Sequence, residues 1–279
     1  MAQLVPHRGM YVVFRAGGMR LGVPATSIHE VRSLQALSEQ DREALPPQED
    51  LAALFGLPPE PDAQVALVID MKPARMLRVS LVEEVVDLAD APFFALPQRI
   101  RLAVQGAVRG ARLLRGGLLL ELAPEALVTL VPATAAVQAP LPALAPRAEL
   151  PERLLVFRTG SARLAAPLAE VSQVVSSPSI CSVPMLPDHL WGILHHERSL
   201  HVVADASGLA AAPPSPRPPS LAVLVDSAGV PLAVAAERIE GIVPALAVTA
   251  KGVTEGGWRL QDAEGPIFLP SYDRLFQHV

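Results

Sequence analysis

The densest group of potentially reactive side chains is His195, His196, Glu197, His201 and Asp205. Imidazole and carboxylate together suit zinc or iron. A metal-dependent hydrolase using His195, His201 and Asp205 is the chemistry such a group would carry. The spacing argues against it. His196-Glu197 is followed by a histidine at i+5, whereas two ligands on one helix face need i+4. On a strand, 195, 197, 199 and 201 share a face and His196 points the other way. His195 and His201 then stand about 20 Å apart on one extended strand and approach only if a turn lies between them. The competing reading is a polar hairpin at the surface, with no metal.

Other chemical signatures are missing. There is no Gly-x-Ser-x-Gly nucleophile elbow. There is no Gly-x-Gly-x-x-Gly, and Lys251-Gly252 lacks the upstream glycine of a phosphate-binding loop. Cys181, the single cysteine, has no evident base beside it and reads as a small half-buried residue. With one cysteine, no disulfide forms within the chain and no cysteine cluster can bind zinc or iron–sulfur. The chain reads as a non-enzyme that needs no cofactor or metal.

The elements that position these residues come from a chain of 279 residues, about two domains long. Hydrophobic residues are 51% and charged residues 18%, so the apolar surface suffices to offset the entropy of ordering. Aromatics are only 4%, which leaves the core to Val, Leu, Ile and Ala. The net charge of −5 argues against a nucleic-acid binder. Arg99, Arg101, Arg109, Arg112 and Arg115 form a local basic stripe, read as solubility or as a surface for an acidic partner. Pro6, His7 and Arg8 interrupt the place where a signal peptide needs an apolar core. No run of about 18 apolar residues exists. A cytoplasmic protein with no membrane insertion of its own is expected, at signalling clusters only through partners.

The chain repeats itself. Val12 to Val31 reads VVFRAGGMRLGVPATSIHEV, and Leu155 to Val174 reads LVFRTGSARLAAPLAEVSQV. At a constant offset, Val13/Val156, Phe14/Phe157, Arg15/Arg158, Gly17/Gly160, Arg20/Arg163, Leu21/Leu164, Pro24/Pro167 and Val31/Val174 are identical. A second block, Val65 to Asp70, answers Leu221 to Asp226, and a third pairs Gly106 with Gly252. The order is the same in both halves, as in a tandem duplication. Proline and alanine crowd 132–151, the expected linker between domains at 8–131 and 152–279.

Each half opens on a strand–turn–strand signal. Further strands are expected at 65–71, 75–80, 101–109, 112–115 and 117–121. In the second half they are expected at 190–195, 199–204, 221–226, 231–235, 251–254, 257–261 and 265–269. Short helices are expected at 48–56, 80–87, 123–130 and 271–277. Many short strands with Gly and Pro between them predict a mainly β protein.

These blocks, in this order, resemble the CheW-like adaptor family of bacterial chemosensory systems. That family opens with a strand–turn–strand of the type seen in Val12 to Val31 and Leu155 to Val174. Its Val/Leu-Pro, glycine strand, contact turn and strand ending in Asp are matched by Val183-Pro184 and by Gly192 to Asp205. Its later Val-Asp-x-Val-like segment is matched by Val82 to Val85 and by Ala236 to Ile239. The resemblance implies two CheW-like domains, each of two small SH3-like five-stranded β-barrels with a few short helices. It implies a non-enzymatic scaffold that couples receptors to a histidine kinase. Partners would be a CheA-like histidine kinase, chemoreceptors or other CheW-like modules.

The departures concern the contact turn. The family's Arg-Gly pair falls on Glu197-Arg198, a charge reversal that can reject a partner. In the first half, Leu45-Pro46 lies so close to Asp50-Leu51 that the hairpin between them is absent, leaving a truncated copy. A divergent adaptor follows, with Trp191, His195, His196, Glu197, Arg198 and His201 as expected protein-binding residues. The alternative keeps the fold and exchanges the partner for a cell-polarity or motility regulator.

Overall fold

The computed structural model describes residues 9–36, 46, 48–60, 63–70, 74–127, 130, 149–215, 217–227, 230–254 and 256–276. Two compact units are distinguished, one within Met1–Val137 together with Cys181–Met185, the other within Gln138–Ile180 and Leu186–Val279. Most of the expected linker, residues 132–148, lies outside the described residues.

In the first unit, β1 (Met10–Ala16) and β2 (Met19–Pro24) form a hairpin. Gly17 and Gly18 turn it with φ of +57° and +76°. A two-residue hairpin loop with positive φ at both positions matches the strand twist, and glycine takes it without a Cβ penalty. The chain continues through β3 (Ile28–Ser33), β4 (Gln48–Asp50), α1 (Leu51–Leu54), β5 (Val65–Ile69), β6 (Arg75–Val79) and β7 (Leu81–Asp87). It ends with β8 (Phe93–Ala95), α2 (Gln98–Ala103), β9 (Val108–Leu114), β10 (Gly117–Leu122) and α3 (Pro124–Leu127). One sheet has the order β7-β1-β2-β10-β9-β8, the other β3-β5-β6-β4.

The second unit contains β11 (Arg153–Thr159), β12 (Ala162–Pro167), β13 (Val171–Ser176), β14 (Ile180–Cys181, of which Cys181 is grouped with the first unit), β15 (Leu190–His196) and β16 (Ser199–Ala204). Then come β17 (Leu221–Ser227), β18 (Val230–Ala236), β19 (Arg238–Pro244), β20 (Thr249–Thr254), β21 (Gly257–Asp262) and β22 (Gly265–Pro270). Its sheets run β19-β11-β12-β22-β21-β20 and β13-β17-β18-β16-β15-β14. The first of these repeats the six-stranded order of the first unit strand for strand. The protein is mainly β, as its sequence predicts. Three of the four sheets have six strands and the fourth has four, where five were expected; pieces as short as β8 and β14 carry no periodic signal.

The repeated identities are explained by a charge clamp. Where β1 pairs β7, the register slips between Val13 and Phe14, so Glu83 is the extra, bulged residue. Its carboxylate accepts from Arg15 Nε at 2.5 Å and Arg20 Nε at 2.7 Å. The same slip falls between Val156 and Phe157, and Glu240 accepts from Arg158 Nε at 2.6 Å and Arg163 Nε at 2.7 Å. The arginines that stand out in the sequence repeat thus hold a bulge on a neighbouring strand.

Four expectations are corrected. Residues 81–87 are the strand β7 and not a helix; pairing along the length of β1 outweighs the helix-like run of acidic and aliphatic residues. Residues 98–103 are the helix α2, so the strand expected at 101–109 starts at Val108. Gly106 does not correspond to Gly252, because Gly106 follows α2 whereas Gly252 lies inside β20. Val82 corresponds to Ile239, since they face Phe14 and Phe157, so the acidic segments are aligned three residues further along than their sequences suggest.

The other sheets differ between the two units among the described residues. β4 pairs parallel with β6 as β16 pairs parallel with β18. Asp50 and Asp205 close these strands in the same way. Asp50 Oδ1 and Oδ2 accept from the backbone N–H of Ala53 and Glu60, at 3.1 Å each. Asp205 Oδ1 and Oδ2 accept from Ser207 at 2.9 Å and Ser215 at 2.7 Å. Beyond β16 the second unit adds β15 and β14; beyond β4, among the described residues, the first unit adds no strand.

Candidate protein-binding surface

The hairpin β15–β16 carries the expected site. Leu194 faces His201, His195 faces Leu200 and His196 faces Ser199 across it, with Glu197 and Arg198 as the two-residue turn. Glu197 adopts φ +53°, a conformation that costs an L-residue about 1–2 kcal/mol. Glu197, Arg198 and Ser199 are exposed, so the turn presents opposite charges to solvent.

The turn folds the histidines back, but not into one site. Directly paired residues share a face, so His196 and His201 lie on one side and His195 on the other. The rings of His196 and His201 are edge-on, 6.4 Å between centroids. His196 Nε2 donates to Gln173 Oε1 at 2.6 Å. Asp205 is buried and committed to two backbone N–H groups. The trio His195, His201 and Asp205 therefore does not converge, and among the described residues no three metal-ligating side chains do.

Burial lowers the pKa of His201, and His196 and His195 add to the shift against an opposing pull from Asp226. Burial, then His196, also lowers that of His195. Both imidazoles resist charging. Cys181 is equally unreactive, its thiol pushed up to about 11 by burial.

Trp191, expected as a contact residue, lies in the packed interior at the root of the hairpin. It is 7% exposed and packs with Leu194, Val203, Ala222 and Leu224. The Arg217 guanidinium covers its ring at 4.8 Å, and that arginine also bonds the Asp188 carbonyl. Its work is to seat the root of the hairpin. The basic stripe of the first unit is likewise no continuous face. Arg112 is buried against Glu121, and Arg109 pairs with Glu125.

Apolar side chains that sequence reading did not single out are exposed on the edge strands. In the first unit these are Leu81 and Val85 on β7. In the second they are Ile242 on β19 and Leu246 just after it, the latter fully exposed. Each strand ends its sheet, and an open edge with exposed apolar residues is a place for another chain to bind. Alternation along β19 was the available signal; its meaning depended on knowing which strand lies at the edge.

The mainly β fold of the second unit agrees with a match to a known family. The family model described as the CheW-like domain matches residues 153–276. That segment is a CheW-like domain. Its match runs from the first residue of β11 to the end of the chain's described part. A similar solved structure is the scaffolding protein TtCheW from Thermoanaerobacter tengcongensis, at 17% identity and a TM-score of 0.37, covering 43% of this chain and 89% of that one. No curated protein matches the chain. Among the described residues, no helix is long and apolar enough to cross a membrane.

Proposed function

We propose that the protein is a non-enzymatic adaptor of a chemosensory array, made of two CheW-like domains with a truncated first copy. It couples receptors to a CheA-like histidine kinase. The hairpin residues His195, His196, Glu197, Arg198 and His201 and the edge strands β7 and β19 are its contact surfaces. One observation carries this reading: the segment matched to the CheW-like domain carries the hairpin β15–β16, whose turn exposes the charged Glu197 and Arg198 to solvent. The repeated sheet order supports a second CheW-like unit at the N-terminal side.

A second reading rests on the turn's composition. Glu197 and Arg198 stand where the family carries Arg and Gly, which favours an exchanged partner such as a polarity or motility regulator. Affinity capture of the tagged full-length protein from its own cells, with mass spectrometry, separates the two. Recovery of a chemosensory kinase or receptors, lost in a Glu197→Ala/Arg198→Ala variant, supports the array role. Recovery of a different set, lost in the same variant, supports exchange. Capture that ignores the variant refutes the hairpin as the contact.

A further inference from the structure

A groove of about 590 Å³ lies on the second unit, between the sheet containing β11 and β12 and the short helical turn Ser207–Ala210. Its floor is apolar, with Leu209, Ala210 and Phe268 among the lining side chains. Four cations line it: Arg158, Arg163, Lys251 and Arg259. The inner two are already occupied. Arg163 bonds Glu240, Asp262 and Glu264, and Arg158 bonds Glu240. Lys251 and Arg259 are different. Both are exposed, and neither makes an ion pair among the described residues.

Their placement is particular to this unit. The register of β20 against β21 slips between Ala250 and Gly252, which leaves Lys251 as an extra residue on the edge strand beside the groove. In the first unit β8 pairs β9 without a slip, and buried Ala111 stands where Arg259 stands here. The chain as a whole carries −5, so two exposed cations over an apolar floor run against its general charge. A cavity of this size holds one or two side chains with the backbone between them.

We propose that this groove binds an acidic peptide segment of a partner protein, seating one apolar side chain on the floor and setting carboxylates against Lys251 and Arg259. The site is separate from the β15–β16 hairpin, and it stands whether or not that hairpin is a contact.

The test uses the full-length protein and fluorescence anisotropy of a labelled peptide in which glutamates flank a central leucine. Saturable binding is expected, weakening as salt rises. It falls at least tenfold in Lys251→Glu/Arg259→Glu, whose exposed side chains leave the thermal melt unchanged. Ala210→Trp, which fills the floor, abolishes it. A peptide with the leucine replaced by glutamate binds at least tenfold more weakly. The proposal is overturned if that all-glutamate peptide binds as well, if either variant binds like the wild type, or if millimolar inorganic phosphate displaces the peptide. Loss of binding in Glu197→Ala/Arg198→Ala would place the peptide on the hairpin and overturn it too.

Discussion

Arg112 Nε lies 2.8 Å from Glu121 Oε2 in the core of the first unit, with the two residues 2% and 0% exposed. Arg112 also donates to the carbonyls of Leu88 and Ala91 and lies over the rings of Tyr11 and Phe93. Burial, then the neighbouring Glu121 carboxylate, holds the Tyr11 phenol above its ordinary range. The second unit fills the same places differently. Matching the hairpins β9–β10 and β21–β22 from their turns sets Arg112 on Leu260 and Glu121 on Leu269, and the repeat sets Tyr11 on Leu154. Those three leucines belong to one aliphatic cluster. One fold therefore carries two solutions to the same core, one charged and one apolar.

Breaking the charged solution and replacing it have opposite consequences. Arg112→Leu alone leaves the buried Glu121 carboxylate with only its longer contact to Arg109, at 3.9 Å, and is expected to cost up to about 3–5 kcal/mol. Arg112→Leu/Glu121→Leu imports the second unit's residues and is expected to be neutral or stabilising by about 1–4 kcal/mol. Urea unfolding followed through the first unit's transition checks both. A double variant as unstable as the single one would mean that the pair does more than fill its place.

The Arg158–Glu240–Arg163 clamp predicts a dependence on acid. Burial by itself would raise the Glu240 pKa, but hydrogen bonds and charge from Arg163 and Arg158 outweigh it and lower it. A carboxylate depressed in the folded state contributes stability above its unfolded pKa of about 4.3 and loses it as pH falls through the folded value. Glu240→Gln should lower stability at neutral pH and flatten its decline below about pH 4.3. Thermal melts from pH 7 to 3 measure this, and parallel curves for the two proteins would disprove it.

The hairpin predicts a second window, nearer neutrality. The His201 pKa is lowered, chiefly by burial, with His196, His195 and Asp226 as the charged neighbours. The folded state then resists a proton that the unfolded chain takes up below about pH 6.5. Stability is fully present above that pH and declines as pH falls from it toward the folded value. His201→Leu should reduce that decline, leaving the part that the lowered His195 contributes. Chemical denaturation at pH 7.5 and 5.5 compares the two, and an unchanged difference would count against the assignment.

Glu197 sits at φ +53° without being glycine. Glu197→Gly should therefore stabilise the second unit by about 1 kcal/mol, read as a higher denaturation midpoint. If the turn is a contact, the same change weakens partner capture even as the fold gains stability. A gain in both would mean that the acidic side chain is not used.

The residues alone determined the duplication, the mainly β class and most strands of the second unit, because period-two burial and glycine turns are local. They also placed His195 and His201 on strands near a turn, and left Asp205 marking the strand's end. Partners across strands could not be read in this way. Arg15 and Arg20 repeat visibly, but their anchor Glu83 is 63 residues beyond Arg20 and reaches it only through a bulge. Nothing local distinguishes Arg112 in the core from the arginines near it; a charge enters the interior when a distant carboxylate meets it there. Helix α2 and strand β7 were misread because packing against a neighbour overrides weak intrinsic preference over six or seven residues. The separation of His195 from His201 is a matter of strand pairing, and the groove beside Lys251 exists only once five strands and a helical turn have come together. Both were decided by tertiary structure, since face and cavity are properties of elements packed on one another.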